Sequence, residues 1–520
     1  MLKKTHFIPL LLGLVACGNS DIESVDQAVV SEENRSAQPV SQSLEAIADD
    51  PGSETPRLTL DQLQEALDIP GLSAPWTGDL DEMIQRRIVR VLTVYGLGRY
   101  YVDKGREKGM VFELMKMLED DLNKRSGTKH LRIHVVFIPV ARDELIQGLI
   151  DGRGDLAVAG LTITPERQER IDFANPMTRE LSEILVTGPS APPVSGVDDL
   201  AGKEIYVRAS SSYRSSLEVI NRQFREQGKD QIVIQEISEL LEDEDLLEMV
   251  NSGSLEWAVV DDYKADIWAS VFENLVVRKD IVFRSGGQLG FAMRKGSPKL
   301  REYVNGFVKT HRQGTLKGNI LINRYVDDFD WSKNILGAAD YERFLEVLDI
   351  FEQYGNRYGV DYLIVAAQGY QESQLKQSAR SRAGAVGIMQ LLPSTAADSN
   401  VGIGDISTAD ANIHAGVRYL DFLRTRYFSD LWADDFNRTL FALAAYNAGP
   451  ARVMKLRQKA AEQGYDPNKW FDNVEIIAAK EIGRETVQYV ANILKYYVVY
   501  RLSIIRTLQR KAEKERQNIN

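Results

Sequence analysis

Cysteine is almost missing from this chain: one residue, Cys17, in 520. No intramolecular disulfide can form, and a cysteine-based zinc site is excluded. Histidine is nearly as scarce, with 5 residues. His130 and His134 lie four apart in a strand-like Leu-Arg-Ile-His-Val-Val run with no carboxylate cluster, so neither a metal site nor a cofactor is expected. An excess of positive charge is also lacking. Against 63 basic residues stand 75 acidic ones, and the net charge of −12 gives no global field that would attract nucleic acid. Beyond the N-terminus no uninterrupted apolar run approaches the roughly 20 residues of a membrane-spanning helix. Gly96-Leu97-Gly98 lacks the third glycine of a dinucleotide fingerprint. What is present is ordinary: 44% hydrophobic and 27% charged residues, enough for packed cores in about three units of roughly 150 residues.

The N-terminus reads Met1-Leu2-Lys3-Lys4 and then runs apolar from Phe7 to Ala16. Two lysines followed by about ten apolar residues make a secretory signal, too short to span a bilayer. Leu14-Val15-Ala16-Cys17 resembles the bacterial lipobox, in which the signal is cut before the cysteine and the cysteine is lipidated. The resemblance implies a signal peptide over residues 1–17 and a lipid anchor at Cys17. Gly18 stands where an inner-membrane retention signal has aspartate, which implies the periplasmic face of the outer membrane. Residues 18–85 are expected to form a flexible tether, rich in Ser, Glu, Asp, Gln and Pro, with room for a short helix around Leu58–Leu67.

Two textures follow. Over residues 86–330, β-branched runs (Arg90–Val94, Ile133–Phe137, Leu156–Ala159, Glu204–Val207, Ile232–Ile234, Trp257–Val260, Gln288–Met293) alternate with helical spacing such as Phe112–Leu122. That alternation predicts βαβ units and a mostly parallel sheet. Over residues 335–510 the strands vanish and helical periodicity takes over, at Leu345–Tyr354, Tyr362–Gln371, Ile413–Arg424, Thr439–Tyr446 and Val487–Leu502. The change of class argues for two independent domains. The acidic run Glu242–Asp245 reads as a solvated helix face.

In the α/β half, a strand ends at Ala159-Gly160, followed by Thr162, Thr164-Pro165-Glu166 and Arg167. Small residues at a strand's carboxyl end leave backbone open to a ligand, and a guanidinium can clamp a carboxylate. Thr164-Pro165-Glu166 reads equally well as a plain helix start. This stretch resembles the family 3 periplasmic solute-binding proteins, the amino-acid binders, over roughly residues 88–328. The resemblance implies a two-lobed periplasmic-binding-protein-like module. It places a ligand α-carboxylate on Arg167 and backbone and hydroxyl contacts on Gly160 and Thr162. It places second-lobe contacts on Ser210 and Ser211, after the Leu200–Val207 strand, and the α-amino group on Asp261. Tyr95 and Tyr101 would wall the side-chain pocket. The glycine usual before the second-lobe hydroxyls is Ala209 here. The implied ligand is an amino acid or a muropeptide.

In the helical half, Glu372 ends an apolar helix, where desolvation would raise its pKa, as a proton donor requires. Glu372-Ser373, then Gly384-x-x-Gly387-x-Met389-Gln390-x-x-Pro393, then Ala445-Tyr446-Asn447-Ala448-Gly449, then Glu485-Thr486-x-x-Tyr489-Val490 occur in order. Together they resemble the soluble-lytic-transglycosylase family over roughly residues 345–505, which implies an all-α, goose-type lysozyme-like domain acting on peptidoglycan glycan strands. The implied roles are Glu372 as catalytic acid and base, and Ser381 orienting the substrate. Met389 and Gln390 would line the groove, Tyr446 and Asn447 touch the sugar, and Tyr489 bond near Glu372. Glu485 would be a buried supporting carboxylate. The family's aromatic and Asn-Pro after Glu-Ser are replaced by Leu375 and Lys376-Gln377. The implied reaction cleaves the bond between N-acetylmuramic acid and N-acetylglucosamine with 1,6-anhydro product. Two other readings remain open: a hydrolytic lysozyme on the same fold, or a non-catalytic cell-wall sensor.

Overall fold

The structure, a computed structural model, describes residues 74–103, 106–128, 130–327, 338–431 and 434–517. The signal peptide, Cys17 and the Leu58–Leu67 helix lie outside the described residues.

Residues 74–85, expected to belong to the tether, are instead folded onto the first lobe. Helix α1 (Leu80–Arg86) starts at a capping box between Asp79 and Glu82. Met83 is fully buried, and the Arg86 guanidinium lies 3.6 Å from the centroid of Trp76. A tryptophan and a capping box outweigh the polar composition of the surrounding sequence.

The first lobe continues with β1 (Ile88–Thr93), the hairpin β2 (Tyr101–Asp103) and β3 (Arg106–Lys108), α2 (Met110–Arg125), β4 (His134–Pro139), α3 (Glu144–Ile150), β5 (Leu156–Thr162), α4 (Pro165–Arg170) and β6 (Ile171–Phe173). The second lobe holds β7 (Leu181–Thr187), β8 (Glu204–Arg208), α5 (Ser212–Glu226), β9 (Val233–Ile237), α6 (Asp243–Ser252), β10 (Trp257–Asp261), α7 (Asp262–Ala269) and β11 (Val276–Gly287). The chain then returns through β12 (Leu289–Arg294), α8 (Pro298–His311) and α9 (Leu316–Ile322).

The first sheet has the order β4-β1-β5-β12-β6. β1 pairs in parallel with β4 and β5, as the βαβ alternation predicts, whereas the returning β12 runs antiparallel to β5 and β6. The second lobe departs further from the parallel expectation. Its sheet β10-β7-β11 is antiparallel, and only β8 and β9 pair in parallel. β7 was not recognised in the sequence. β11 is bulged along its length and largely exposed on one side, so its residues show no clean alternation.

The helical half comprises α10 (Ala338–Tyr358), α11 (Tyr362–Ser373), α12 (Pro393–Ala397), α13 (Ala409–Tyr427), α14 (Asp435–Ala448), α15 (Pro450–Glu462), α16 (Glu475–Glu481) and α17 (Arg484–Arg516). α11 is buried from Leu363 through Tyr370 and packs against α17. At about 1.5–3 kcal/mol per buried large aliphatic side chain, this pair anchors the core beneath Glu372.

α17 runs well past the expected Leu502. Its middle lies against the first lobe, where Lys495 pairs with Glu107 at 3.3 Å over the rings of Phe112 and Phe137. Its far end reaches α6 of the second lobe. Arg510 meets Asp245 at 2.7 Å and Lys514 meets Glu248 at 2.6 Å. The run Glu242–Asp245 is therefore no solvated face. All four side chains are buried, because cations from both lobes and from α17 converge on them.

Candidate active site and binding cleft

Glu372 sits in the last turn of α11, which stops because Gln374 adopts left-handed geometry (φ 57°, ψ 40°). Leu375 follows at φ 59°. Consecutive non-glycine residues in this region store strain of order 1–3 kcal/mol each, a cost met mainly at functional loops. Gln377, in the segment where the family motif differs, ties the loop down. Its amide donates to Ile406 O at 3.1 Å and Ser407 O at 2.9 Å, and its carbonyl accepts from Ile388 N.

The Glu372 carboxyl is partly buried, and burial pushes its pKa up to about 7. Tyr489 opposes this only in part, donating from its hydroxyl to Oε1 at 2.5 Å. Gln368, one helical turn before Glu372 and fully buried, donates in turn to the Tyr489 oxygen at 3.1 Å. The order Gln368–Tyr489–Glu372 fixes which way the tyrosine proton points.

The glycine loop closes the other side. Gly387 has φ 78°, and a Cβ there would lie 2.4 Å from Asn412 Nδ2. The fully buried Asn412 uses that space: its oxygen accepts from Met389 N at 2.8 Å and its nitrogen donates to Val386 O at 3.0 Å. Ser373 donates to Ile388 O at 2.8 Å, and Tyr446 donates to Met389 O at 2.8 Å. Met389 thus contributes its backbone carbonyl, while its side chain is fully enclosed between Gly369 and Gly416. It does not line a groove as expected, because the two glycines open a core slot for it.

Gln390 is partly exposed at φ 44° and donates to Gly387 O. Ser381 is exposed, and its oxygen accepts from Ala385 N at 3.0 Å, leaving the hydroxyl proton free to point outward. Asn447 is exposed and accepts from Thr486 at 2.7 Å. Glu485 corrects an expectation. It is exposed in the first turn of α17, where the helix dipole favours a carboxylate, and the buried neighbour is Thr486. Sequence reading gave no role to Gln368 or Asn412, and quoted Thr486 only as part of the Glu485 motif. A lone polar residue inside Ile-Val-Ala-Ala-Gln-Gly was the available signal for the first.

In the α/β half, a cavity of about 260 Å³ lies between the lobes. Gly160, Thr162, Arg167, Ser210, Ser211 and Asp261 all line it. Tyr95 and Tyr101 do not: Tyr101 is buried in the β2–β3 hairpin, and the Tyr95 hydroxyl accepts from Val102 N. The Arg167 guanidinium donates to Thr162 O at 2.9 Å and, across the cleft, to Ser210 O at 3.0 Å. Burial, with Arg142 and Arg284 nearby, pushes its pKa down to about 10. The Ser210 amide and hydroxyl both donate to Glu239, and Ser211 donates to Arg208 O, so these second-lobe donors are turned into the protein. Asp261 is ion-paired with Lys264 at 2.7 Å.

Comparison with known proteins agrees with this division. Residues 349–469 match the family described as Transglycosylase SLT domain, and residues 95–325 match Bacterial extracellular solute-binding proteins, family 3. Membrane-bound lytic murein transglycosylase F of Desulfosudis oleivorans is 30% identical over 426 residues, covering 78% of this chain and 88% of that protein. The protein of the same name from Pseudomonas fluorescens (strain Pf0-1) is 28% identical, covering 80% and 85%. Among solved structures, an ancestral amino-acid-binding protein, described as a precursor of cyclohexadienyl dehydratase, matches at 25% identity and TM-score 0.38. It covers 47% of this chain and 98% of that one. No helix among the described residues is long and apolar enough to cross a membrane.

Proposed function

The chain belongs to the membrane-bound lytic murein transglycosylase F family, and on that premise we propose that Glu372 performs the glycan chemistry with the support of Tyr489. The protein is a peptidoglycan lytic transglycosylase, built from a solute-binding module and a helical lysozyme-like domain. The carboxyl of Glu372, protonated near neutrality, gives its proton to the oxygen between N-acetylmuramic acid and N-acetylglucosamine as the C1–O bond breaks. The resulting carboxylate accepts the proton of the muramoyl C6 hydroxyl as that oxygen bonds to C1. The product is a 1,6-anhydro ring, and no water is consumed. An intramolecular nucleophile removes the need for a second carboxylate of the two-acid glycosidase pattern. The Tyr489 proton favours the ionised form needed for the second step, so one hydrogen bond serves the acid-to-base exchange.

The observation that carries this reading is a carboxyl held near pKa 7 at the end of a buried helix, beside Tyr489 and the Gly387 loop. Glu372→Gln tests it. Sacculi treated with the variant should release no anhydro-muropeptides, a loss of about 10²–10⁴-fold or more in rate. Full activity in that variant would refute the assignment, and reducing ends from the unmodified protein would favour the lysozyme reading.

For the second module, the reading is a carboxylate-bearing ligand, an amino acid or a muropeptide, held at Arg167 with Gly160 and Thr162. Because α17 carries both Tyr489 and the Arg510 and Lys514 contacts to α6, ligand binding would alter glycan cleavage through that helix. A cleavage rate indifferent to every bound ligand would count against it. Lipidation at Cys17 and residence at the outer membrane complete the reading. Labelling with a radioactive fatty acid should be abolished by Cys17→Ala.

A further inference from the structure

The chain crosses from the first lobe to the second at Thr178 and Arg179 and returns at Gln288, and both crossings meet the turn between α8 and α9. A cleft of about 350 Å³ opens there. Arg179, Lys309 and Arg312 line it, and no carboxylate among the described residues does. These cations are exposed, and none is ion-paired with a described residue. Lys309 and Arg312, at the end of α8, suit its dipole, but Arg179 comes from a different segment, so the dipole does not account for the cluster. Like charges gathered without a counter-charge repel one another, and a bound anion offsets that repulsion. The backbone beneath them is cross-tied. Gln313 N donates to Met177 O at 2.9 Å, the Gln313 side-chain oxygen accepts from Arg179 N at 2.7 Å, and Leu289 N donates to the Thr178 hydroxyl at 3.0 Å. The Gln313 side-chain N–H groups and the Thr178 O–H are left as donors for a ligand.

Thr178 and Gln313 also line a second cavity, of about 140 Å³. Its walls are chiefly apolar, with Leu114, Leu181, Phe291, Leu321 and Ile322 among them, and no Lys, Arg, Asp or Glu of the described residues lines it. An apolar space of about 150 Å³ is known to stay dry and to accept a molecule the size of benzene. Neither space is the polar interlobe cavity. The cationic cleft shares no lining residue with it, and the apolar cavity shares only Gly160. We propose that the two spaces form one site for an anionic amphiphile. Its phosphate or carboxylate head lies among Arg179, Lys309 and Arg312, and its first several carbons enter the apolar cavity past Thr178 and Gln313. Each half needs the other: exposed cations hold a small anion weakly in water, and the apolar cavity has no charge to fix an entering chain. Such a head and chain belong both to membrane phospholipids and to free single-chain amphiphiles.

Titration calorimetry of the full chain carrying Cys17→Ala, so that no lipid of its own competes, tests the site with hexyl phosphate, inorganic phosphate and hexanol. Hexyl phosphate should bind at least tenfold tighter than either of the others. Replacing Arg179 and Arg312 together with alanine should weaken it tenfold or more. Ile322→Trp, which fills the apolar cavity, should bring hexyl phosphate down to the affinity of inorganic phosphate, with thermal melting recorded to confirm that each variant is folded. Arg167→Ala, in the interlobe cavity, should change nothing. Dihexanoyl phosphatidylglycerol separates the sources: binding comparable to hexyl phosphate assigns the site to membrane phospholipid, and binding tenfold weaker assigns it to single-chain amphiphiles. Hexyl phosphate bound no tighter than inorganic phosphate, or binding lost in Arg167→Ala, would overturn the proposal.

Discussion

Glu372 combines two properties that pull against each other. Its pKa rises from 4.5 to about 7 because folding buries it. A carboxyl with a raised folded pKa lends stability that is present below its unfolded value and lost as pH climbs through 7. The catalytic charge therefore costs up to about 3 kcal/mol above neutrality. Glu372→Gln should melt higher than the unmodified protein at pH 8, with the gap closing near pH 4; a constant gap across that range would contradict the burial account. Activity should fall along an alkaline limb near pH 7, because the first step needs the acid form. Tyr489→Phe removes the donor that favours the ionised form, so that limb should move to higher pH in a pH–rate profile. The acid itself was legible from the ordered motifs. Gln368, which orients Tyr489, was not, because its role depends on a helix some 120 residues away in sequence packing beside it.

Among the elements, the Gly384–Leu391 loop and α17 decide whether the site is assembled. Asn412→Ala would leave Met389 N without its partner and Val386 O with the Leu391 amide alone. A cost of about 1–3 kcal/mol in denaturant unfolding, with reduced kcat, is the expected result. Gly387→Ala should be comparably harmful, since its Cβ would collide with Asn412. The glycines announced a loop in the sequence, but not the asparagine that fills it. α17 illustrates the opposite limit. Its apolar stripe from Val487 to Val498 was readable, whereas its polar continuation beyond Leu502 carries no apolar periodicity and was not read as helix. That continuation is helical because Arg510 and Lys514 find Glu244, Asp245 and Glu248 on α6. Arg510→Ala, which strands buried carboxylates, should cost about 3–5 kcal/mol. An unchanged unfolding midpoint would show that the pairing contributes nothing.

At the scale of the whole molecule, the division into an α/β half and a helical half followed from a change of periodicity near residue 335. The joint between them did not, because its charge pairs are distant in sequence, such as Arg87 on Glu475 at 2.6 Å and Lys495 on Glu107, and its apolar contacts join faces from both halves. Periodicity reports which face of an element is buried and says nothing of which partner buries it. The central claim at this scale is that the assembled protein breaks glycan strands without water, the C6 hydroxyl acting as nucleophile and Glu372 as the one proton carrier. Digestion of purified sacculi in water enriched in heavy oxygen tests it most directly, with the released ends read by mass spectrometry. The account predicts anhydro ends that carry no label; heavy oxygen incorporated at newly formed reducing ends would contradict it.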